Sequence, residues 1–292
     1  MRAVFSARTI GPMPAEPIPA ATVVVLRDGP GGPEVLMVRR HERAGDFAGA
    51  SVFPGGLVDA TDADPELAPP DSGFSAEQAL AALGEPLSEA EARALYVAAC
   101  RELFEEAGLL LVRRIDEAAL GRLRKLRSAL QAGTLSLRAA LAHESCVLAL
   151  ARLVPFARWI TPEFQKRRWD TRFFVAEAPE NQTAECDGTE TSEAVWLTPS
   201  AALDGYRAGE HQLAPPTFRV LEELCGHPRA ASACAALASA GPPRPILPVP
   251  LRDAPILTMV YPGDREHPEG SGTGLNRLVL DGGRWKTQRS SG

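Results

Sequence analysis

Ala92, Leu95, Tyr96, Ala99 and Leu103 repeat apolar side chains at the three- and four-residue spacing of a helix. Ser88 and Glu91 precede them in the order of a capping box, and Gly108 follows as a left-handed C-terminal residue, so one helix over Glu89–Ala107 is predicted. Upstream, residues 22–26 form a β-branched run and residues 34–39 a second, separated by the turn sequence of residues 28–33; the pair reads as a hairpin. Ser75 and Gln78 open a short helix that ends at Gly84. Residues 109–112 read as a buried strand, residues 116–131 as a basic helix capped by Asp116, and residues 136–150 as a further helix. Strands are expected at residues 153–160, 171–176 and 193–197, the last two joined by a mobile acidic loop over residues 177–191. Thr198-Pro199 opens a helix, residues 214–240 hold two more, and residues 246–251, 256–261 and 275–280 suggest strands in a Pro- and Gly-rich tail. Strands interleaved with helices point to an α/β sandwich around a mixed sheet.

The polar side of the 89–107 helix is the unusual one. Glu102, Glu105 and Glu106 stand at i, i+3 and i+4 and share a face, where each like-charged pair costs about 0.2–0.5 kcal/mol in an isolated helix. They also occupy the last turns, where the helix dipole favours cations. A solvated acidic face is the ordinary outcome for a Glu-rich helix. The alternative is that a hard, oxygen-seeking dication, Mg²⁺ or Mn²⁺, sits among the oxygens.

Val52-Phe53-Pro54-Gly55-Gly56-Leu57 supplies the second half of the pattern, a strand end running into a turn whose glycines let backbone pass close to something. Together the two segments resemble the Nudix box, Gly-x5-Glu-x7-Arg-Glu-U-x-Glu-Glu-x-Gly-U with U aliphatic. Gly56 matches the first glycine, Asp62 stands at the first glutamate, and Arg101, Glu102, Leu103, Glu105, Glu106, Gly108 and Leu109 match the remainder without a gap. The departure is the spacer: residues 63–100, 38 in all, replace seven. The Pro-, Asp- and Gly-rich start of that spacer and the short helix after it read as an insertion, about residues 63–87, and loop closure penalises such length only by about 0.6 kcal/mol per doubling. A split box of this kind looks like the branch that includes peroxisomal coenzyme A diphosphatases. Residues 159–162 and 168–174, rich in Trp, Arg and Phe, support that branch.

The resemblance implies a Nudix-type α/β/α sandwich over residues 21–213, while Pro residues make 1–20 a loose arm and the element pattern adds a helical extension at 214–240 and a β-rich tail at 241–292 packed on the main domain. It implies hydrolysis of a diphosphate joined to another moiety, with water attacking phosphorus and divalent metal neutralising charge. Glu102, Glu105 and Glu106 are the expected metal ligands, with the Gly55 carbonyl as a backbone ligand, and Arg101 is expected to hold a box carboxylate. Glu190 is the first choice for the base or additional ligand, ahead of Glu193 and Glu185. Asp62, one methylene shorter than Glu, is expected to pair with Arg101. Substrate phosphates are expected at Arg39, Arg40, Arg167 or Arg168, because guanidinium forks suit phosphate. Trp159, Trp169 and Phe174 are candidates to stack on adenine but are expected in the core. His41 and His211, and the basic residues around Lys125, are expected to be solvated.

Composition narrows the setting. The 292 residues, 45% apolar and 23% charged, are ordinary globular material, and a net charge of −6 argues against general nucleic-acid or anionic-membrane binding. Five cysteines without paired spacing argue for reduced thiols, and no apolar run reaches the ~18 residues of a membrane span. The last residues, Ser290-Ser291-Gly292, differ from the Ser-Lys-Leu peroxisomal address, so a cytoplasmic location is expected. Dimers are common in the family, and a homodimer is an open expectation. Coenzyme A or an acyl-coenzyme A is the leading substrate. ADP-ribose, a dinucleotide or a damaged nucleotide stands next, then a non-catalytic nucleotide-sensing module, then an interaction protein whose tail docks a partner.

Overall fold

The computed structural model describes residues 14–41, 49–270 and 272–290; residues 45–49, which read as a loop from Gly45 and Gly49, fall mostly outside them. Strand β1 (Ile18–Gly29) turns through Pro30-Gly31 into β2 (Gly32–Arg40), the expected hairpin, with Gly29 opposite Gly32. Two short strands follow, β3 (Ala50–Val52) and β4 (Gly55–Leu57), then 3₁₀ turns and helix α1 (Ala76–Leu83). Helix α2 (Glu89–Ala107) has the predicted bounds, its Ser88/Glu91 capping box, and Gly108 at φ 65°. After it come α3 (Glu117–Arg124), α4 (Arg127–Gln131), α5 (Leu137–His143), β5 (Val154–Ile160), β6 (Trp169–Glu177), β7 (Thr191–Leu197) and α6 (Pro199–Ala208). The C-terminal third contains β8 (Gln212–Leu213), α7 (Pro215–Leu224), α8 (Ala230–Ser239), β9 (Pro245–Ile246), β10 (Val249–Pro250), β11 (Thr258–Val260), β12 (Asn276–Asp281) and β13 (Arg284–Arg289).

The main sheet runs β8-β3-β2-β1-β6-β5-β9, with β4 paired to β1 and β7 to β2. It is mixed: β1 and β6 are parallel over nine register pairs, whereas β1/β2, β2/β7 and β5/β6 are antiparallel. Alternation along β1 serves two cores. Ala21, Val23 and Val25 face the layer of α1, α2 and residues 109–111, and Val24 and Leu26 face α6, α7, α8 and the tail. Burial on both faces explains why this strand reads as a continuous apolar run. The architecture is the expected α/β/α sandwich. Among the described residues no helix is long and apolar enough to cross a membrane.

The insertion is part of this core. Leu67, Ala79 and Leu83 are buried against α2, and Phe74 meets Tyr96 edge-on at 5.1 Å. Just after α1, Glu85 is gripped by Arg172 of β6 and by Arg158 of β5 at 2.9 Å, and both guanidiniums also bind Asp170.

Several expectations are corrected. Residues 109–111 are buried but join no strand; Val112 makes an isolated bridge to Leu148. The Gln182 side chain serves as their partner, accepting from the Leu110 amide at 2.9 Å and donating to the Leu110 carbonyl at 3.0 Å. The same residue anchors the acidic loop expected to be mobile. The basic helix breaks at Lys125 and Leu126 into α3 and α4, and the 136–150 helix stops at His143, before Ser145 at φ 50°. The 246–251 strand is two, β9 on the main sheet and β10 in the tail sheet β10-β11-β12-β13, because Pro248 between them has no amide to donate. Strand β13 lies beyond the expected elements, although Gly282-Gly283 is a two-residue hairpin loop signal. At the N-terminus, β1 starts at Ile18, inside the stretch read as a loose arm, and residues 1–13 lie outside the described residues.

Candidate active site

Gly55 and Gly56 bring β4 against the last turns of α2. The Gly55 amide donates to Glu106 Oε2 at 3.0 Å. A Cβ on Gly56 would fall 2.4 Å from Glu102 Oε1, so only glycine leaves that carboxylate its place. Glu102, Glu105 and Glu106 are all buried, at 8%, 7% and 3% exposure, which excludes the solvated acidic face.

Arg101 is shared among four groups. Its Nε and Nη2 form a bidentate pair with Asp62 at 2.8 and 2.9 Å, Nη2 also donates to the Leu57 carbonyl at 2.8 Å, and Nη1 donates to Glu102 at 2.8 Å and Glu105 at 3.4 Å. Asp62, almost wholly buried, is the partner expected for it despite its shorter side chain.

This single guanidinium does not balance the carboxylates. Burial pushes Glu105 up to about 7 against the pull of Arg101. Burial also raises Glu102, opposed by Arg101, and holds Glu106 well above the carboxylate range, with Glu102 adding repulsion and the Gly55 amide and Arg40 opposing it. Three buried carboxyl groups with too few cations to hold them ionised suit a hard dication. Among the described residues no three acidic, His or Cys side chains stand assembled as an ion cage, and Arg101 bonds two of the three carboxylates concerned.

The dipole problem at the end of α2 is solved by residues of α3 and α4, whose basic members are expected in solvent from the sequence. Arg127 is buried and donates from Nε and Nη2 to the Glu105 carbonyl at 3.2 and 2.7 Å, joined there by Gln131 Nε2 at 3.2 Å. Arg124 Nε donates to the Gly108 carbonyl at 3.1 Å. These cations and an amide cap the orphan carbonyls where the helix end is negative. The break between α3 and α4 precedes Arg127, and the i, i+3 spacing of Arg124 and Arg127 was the available signal.

The other candidates divide. Glu190 is solvent-exposed, yet its charge raises Glu102, Glu105 and Glu106, so it lies within electrostatic range of the cluster. Glu185 instead pairs with Arg124 at 3.2 Å, and Glu193 is exposed opposite Arg39 on β7. Arg40 lies near enough to lower Glu106, and its buried Nε has no hydrogen-bond partner among the described residues. Strand alternation turns Arg39 to the other face of β2. Arg167 is exposed in the β5–β6 loop, whereas buried Arg168 is committed to the carbonyls of Thr161 and Ala15 at 2.9 and 2.8 Å. Trp159 meets Tyr261 at 5.7 Å and Phe174 meets Tyr96 at 4.7 Å, both within the core, and half-buried His211 lies 2.9 Å from the Ala202 carbonyl.

With this geometry in place, comparison with known proteins is decisive. A family model described as the NUDT19 Nudix domain matches residues 20–224. The chain belongs to the NUDT19 Nudix family. This Nudix chain is similar to the acyl-coenzyme A diphosphatase NUDT19 of Gallus gallus, 29% identical with 89% of this chain and 82% of that protein covered. The Homo sapiens protein of the same name is 27% identical, with 82% and 74% covered. Among solved structures, a NUDIX hydrolase from Alicyclobacillus acidocaldarius is 31% identical, covers 75% of this chain and 96% of its own, and superposes with a TM-score of 0.56. This Nudix chain is therefore a diphosphohydrolase, and the non-catalytic sensing module is set aside.

Proposed function

We propose that this Nudix enzyme uses a divalent metal ion, Mg²⁺ or Mn²⁺, to hydrolyse the diphosphate of coenzyme A or an acyl-coenzyme A. The observation that carries the metal dependence is the trio of buried carboxylates at the end of α2, raised in pKa, of which Arg101 bonds only Glu102 and Glu105. The relatives named as acyl-coenzyme A diphosphatases support the substrate class.

Glu102, Glu105, Glu106 and the Gly55 carbonyl would hold the ion, which when bound would neutralise charge on the phosphates and lower the pKa of water. Arg101 fixes Glu102 and Glu105 through its bonds to both. Arg40 meets a substrate phosphate with the Nε that lacks a partner among the described residues. Glu190 accepts the proton of the attacking water. The new bond joins water oxygen to phosphorus, the bridging P–O bond breaks, and the products are adenosine 3′,5′-bisphosphate and a phosphopantetheine. Five unpaired cysteines support a reducing setting such as the cytoplasm.

The test is a panel of coenzyme A, acetyl-coenzyme A, ADP-ribose, NADH and diadenosine polyphosphates with Mg²⁺ or Mn²⁺. The highest kcat/KM is expected for a coenzyme A species, with none in excess EDTA. Turnover in EDTA overturns the metal reading, and preference for ADP-ribose or a dinucleotide overturns the substrate.

A further inference from the structure

The loop that carries Glu190 is built around one carboxylate. Asp187 Oδ2 accepts the amides of Glu190 at 2.8 Å and Thr189 at 3.1 Å, and the Thr189 hydroxyl as well. Asp187 Oδ1 accepts the Thr191 amide at 2.8 Å and lies 2.6 Å from its hydroxyl, which is also 3.1 Å from the Glu106 carbonyl. Burial raises the pKa of Asp187, but the bonds from Thr189, Thr191 and the Glu190 amide together hold it well below the usual carboxylate range. The turn is therefore organised by an anion that remains charged.

That turn is fastened to the acidic helix from outside both. Gln131, at the end of α4, donates from a single Nε2 to the Glu105 carbonyl at 3.2 Å and to Asp187 Oδ2 at 3.0 Å. An amide nitrogen carries two hydrogens and can bridge two acceptors; a carboxylate or an alkyl group at that place cannot. Glu190's own carboxylate has no hydrogen-bond partner among the described residues, so its position depends on its backbone. The backbone is held at one end by Asp187 and, through the Glu190 carbonyl, by the His41 amide at 2.9 Å.

We propose that Gln131 and Asp187 are positioning residues that set the distance between Glu190 and the carboxylates of Glu102, Glu105 and Glu106. The inference rests on the reading of Glu190 as proton acceptor. It assigns a role to α4, which lies outside both halves of the box. One side chain holds the Glu105 main chain and the Glu190 turn together, so the two halves of the site move as one piece.

The test compares the full chain with Gln131→Leu, Gln131→Glu, Glu190→Gln and the double variant Gln131→Leu/Glu190→Gln. Hydrogen–deuterium exchange in EDTA reads the clamp without activity: the peptide over residues 186–192 should exchange about tenfold faster in either Gln131 variant, while residues 92–104 stay protected. In coenzyme A hydrolysis with Mn²⁺, Gln131→Leu should lower kcat about tenfold with KM within about twofold. The double variant should be no slower than Glu190→Gln, because Gln131 acts through Glu190. Exchange at the wild-type rate, or losses in kcat that multiply in the double variant, overturns the proposal. If the wild type cleaves nothing in the panel, the functional reading fails, and the exchange result still decides whether Gln131 holds the Glu190 turn.

Discussion

Arg127 directs two hydrogen bonds onto the carbonyl oxygen of Glu105, so the main chain of a box residue is held by a cation from a different helix. Burial lowers the pKa of this guanidinium, with Asp187 opposing. Removing it leaves a carbonyl at the negative end of α2 with a weaker partner set. Arg127→Met is expected to cost about 2 kcal/mol of stability, read from urea unfolding; an unchanged midpoint would show that the cap contributes nothing.

The neighbouring glycines of the turn should respond differently. A Cβ on Gly55 meets the Ala21 carbonyl at 2.6 Å and the Thr22 hydroxyl at 2.6 Å, which are backbone and a stiff side chain. Gly55→Ala is expected to destabilise the fold by about 1–3 kcal/mol. At Gly56 the obstacle is the movable end of Glu102. Gly56→Ala is expected to fold but to lose about a hundredfold or more in kcat/KM. Equal melting temperatures for both variants would contradict the contrast.

Asp62 and Arg101 form a buried pair in which the acid is almost wholly enclosed. Truncation leaves Arg101 with the Leu57 carbonyl and the two glutamates alone. Asp62→Ala should lose about 3 kcal/mol in chemical unfolding, and hydrolysis should fall with it because Arg101 no longer has a fixed seat. A variant as stable as the wild type would refute the anchoring role.

Acid should stabilise the metal-free protein. Glu105 has its folded pKa raised to about 7, and Glu102 and Glu106 are raised too. A raised acid binds its proton more tightly when folded, so that contribution is present below the ordinary carboxylate range and is lost as pH rises through about 7. In EDTA the melting temperature is therefore expected to fall between about pH 5 and 8. Mn²⁺ or Mg²⁺ should reverse the fall at the alkaline end. A flat profile in EDTA would show that the carboxylates are not strained by their burial.

Glu105→Gln and Glu106→Gln should each remove at least about a thousandfold of kcat while leaving folding intact in EDTA. Each replacement takes one charge out of a repelling buried group. Full turnover by either variant would remove both carboxylates from the mechanism.

Much of this was readable in the chain because the strongest signals were local. The α2 bounds follow from Ser88, Glu91 and Gly108, and the β1–β2 hairpin from its apolar runs and glycine turn. The pairing of Asp62 with Arg101 was also foreseen, since box spacing brings them together. What stayed hidden depends on contacts between distant segments. Gln182 satisfies the backbone of Leu110 across 72 positions, so an apolar run that looked like a strand has no strand partner. Arg127 looked like surface because its helix was read as continuous through Lys125 and Leu126, and the break changes which way it faces. Arg168 looked like a phosphate ligand because only its charge was visible, not the two carbonyls that occupy it.

The segment that splits the box has become irreplaceable to its host. Deleting it to restore the seven-residue spacer of the Nudix pattern would take Phe74 from Tyr96 and Glu85 from Arg158 and Arg172. A minimal version of this enzyme would leave Asp170 alone between two guanidiniums and would need a second acid there, with a new apolar cover for the aromatic ring.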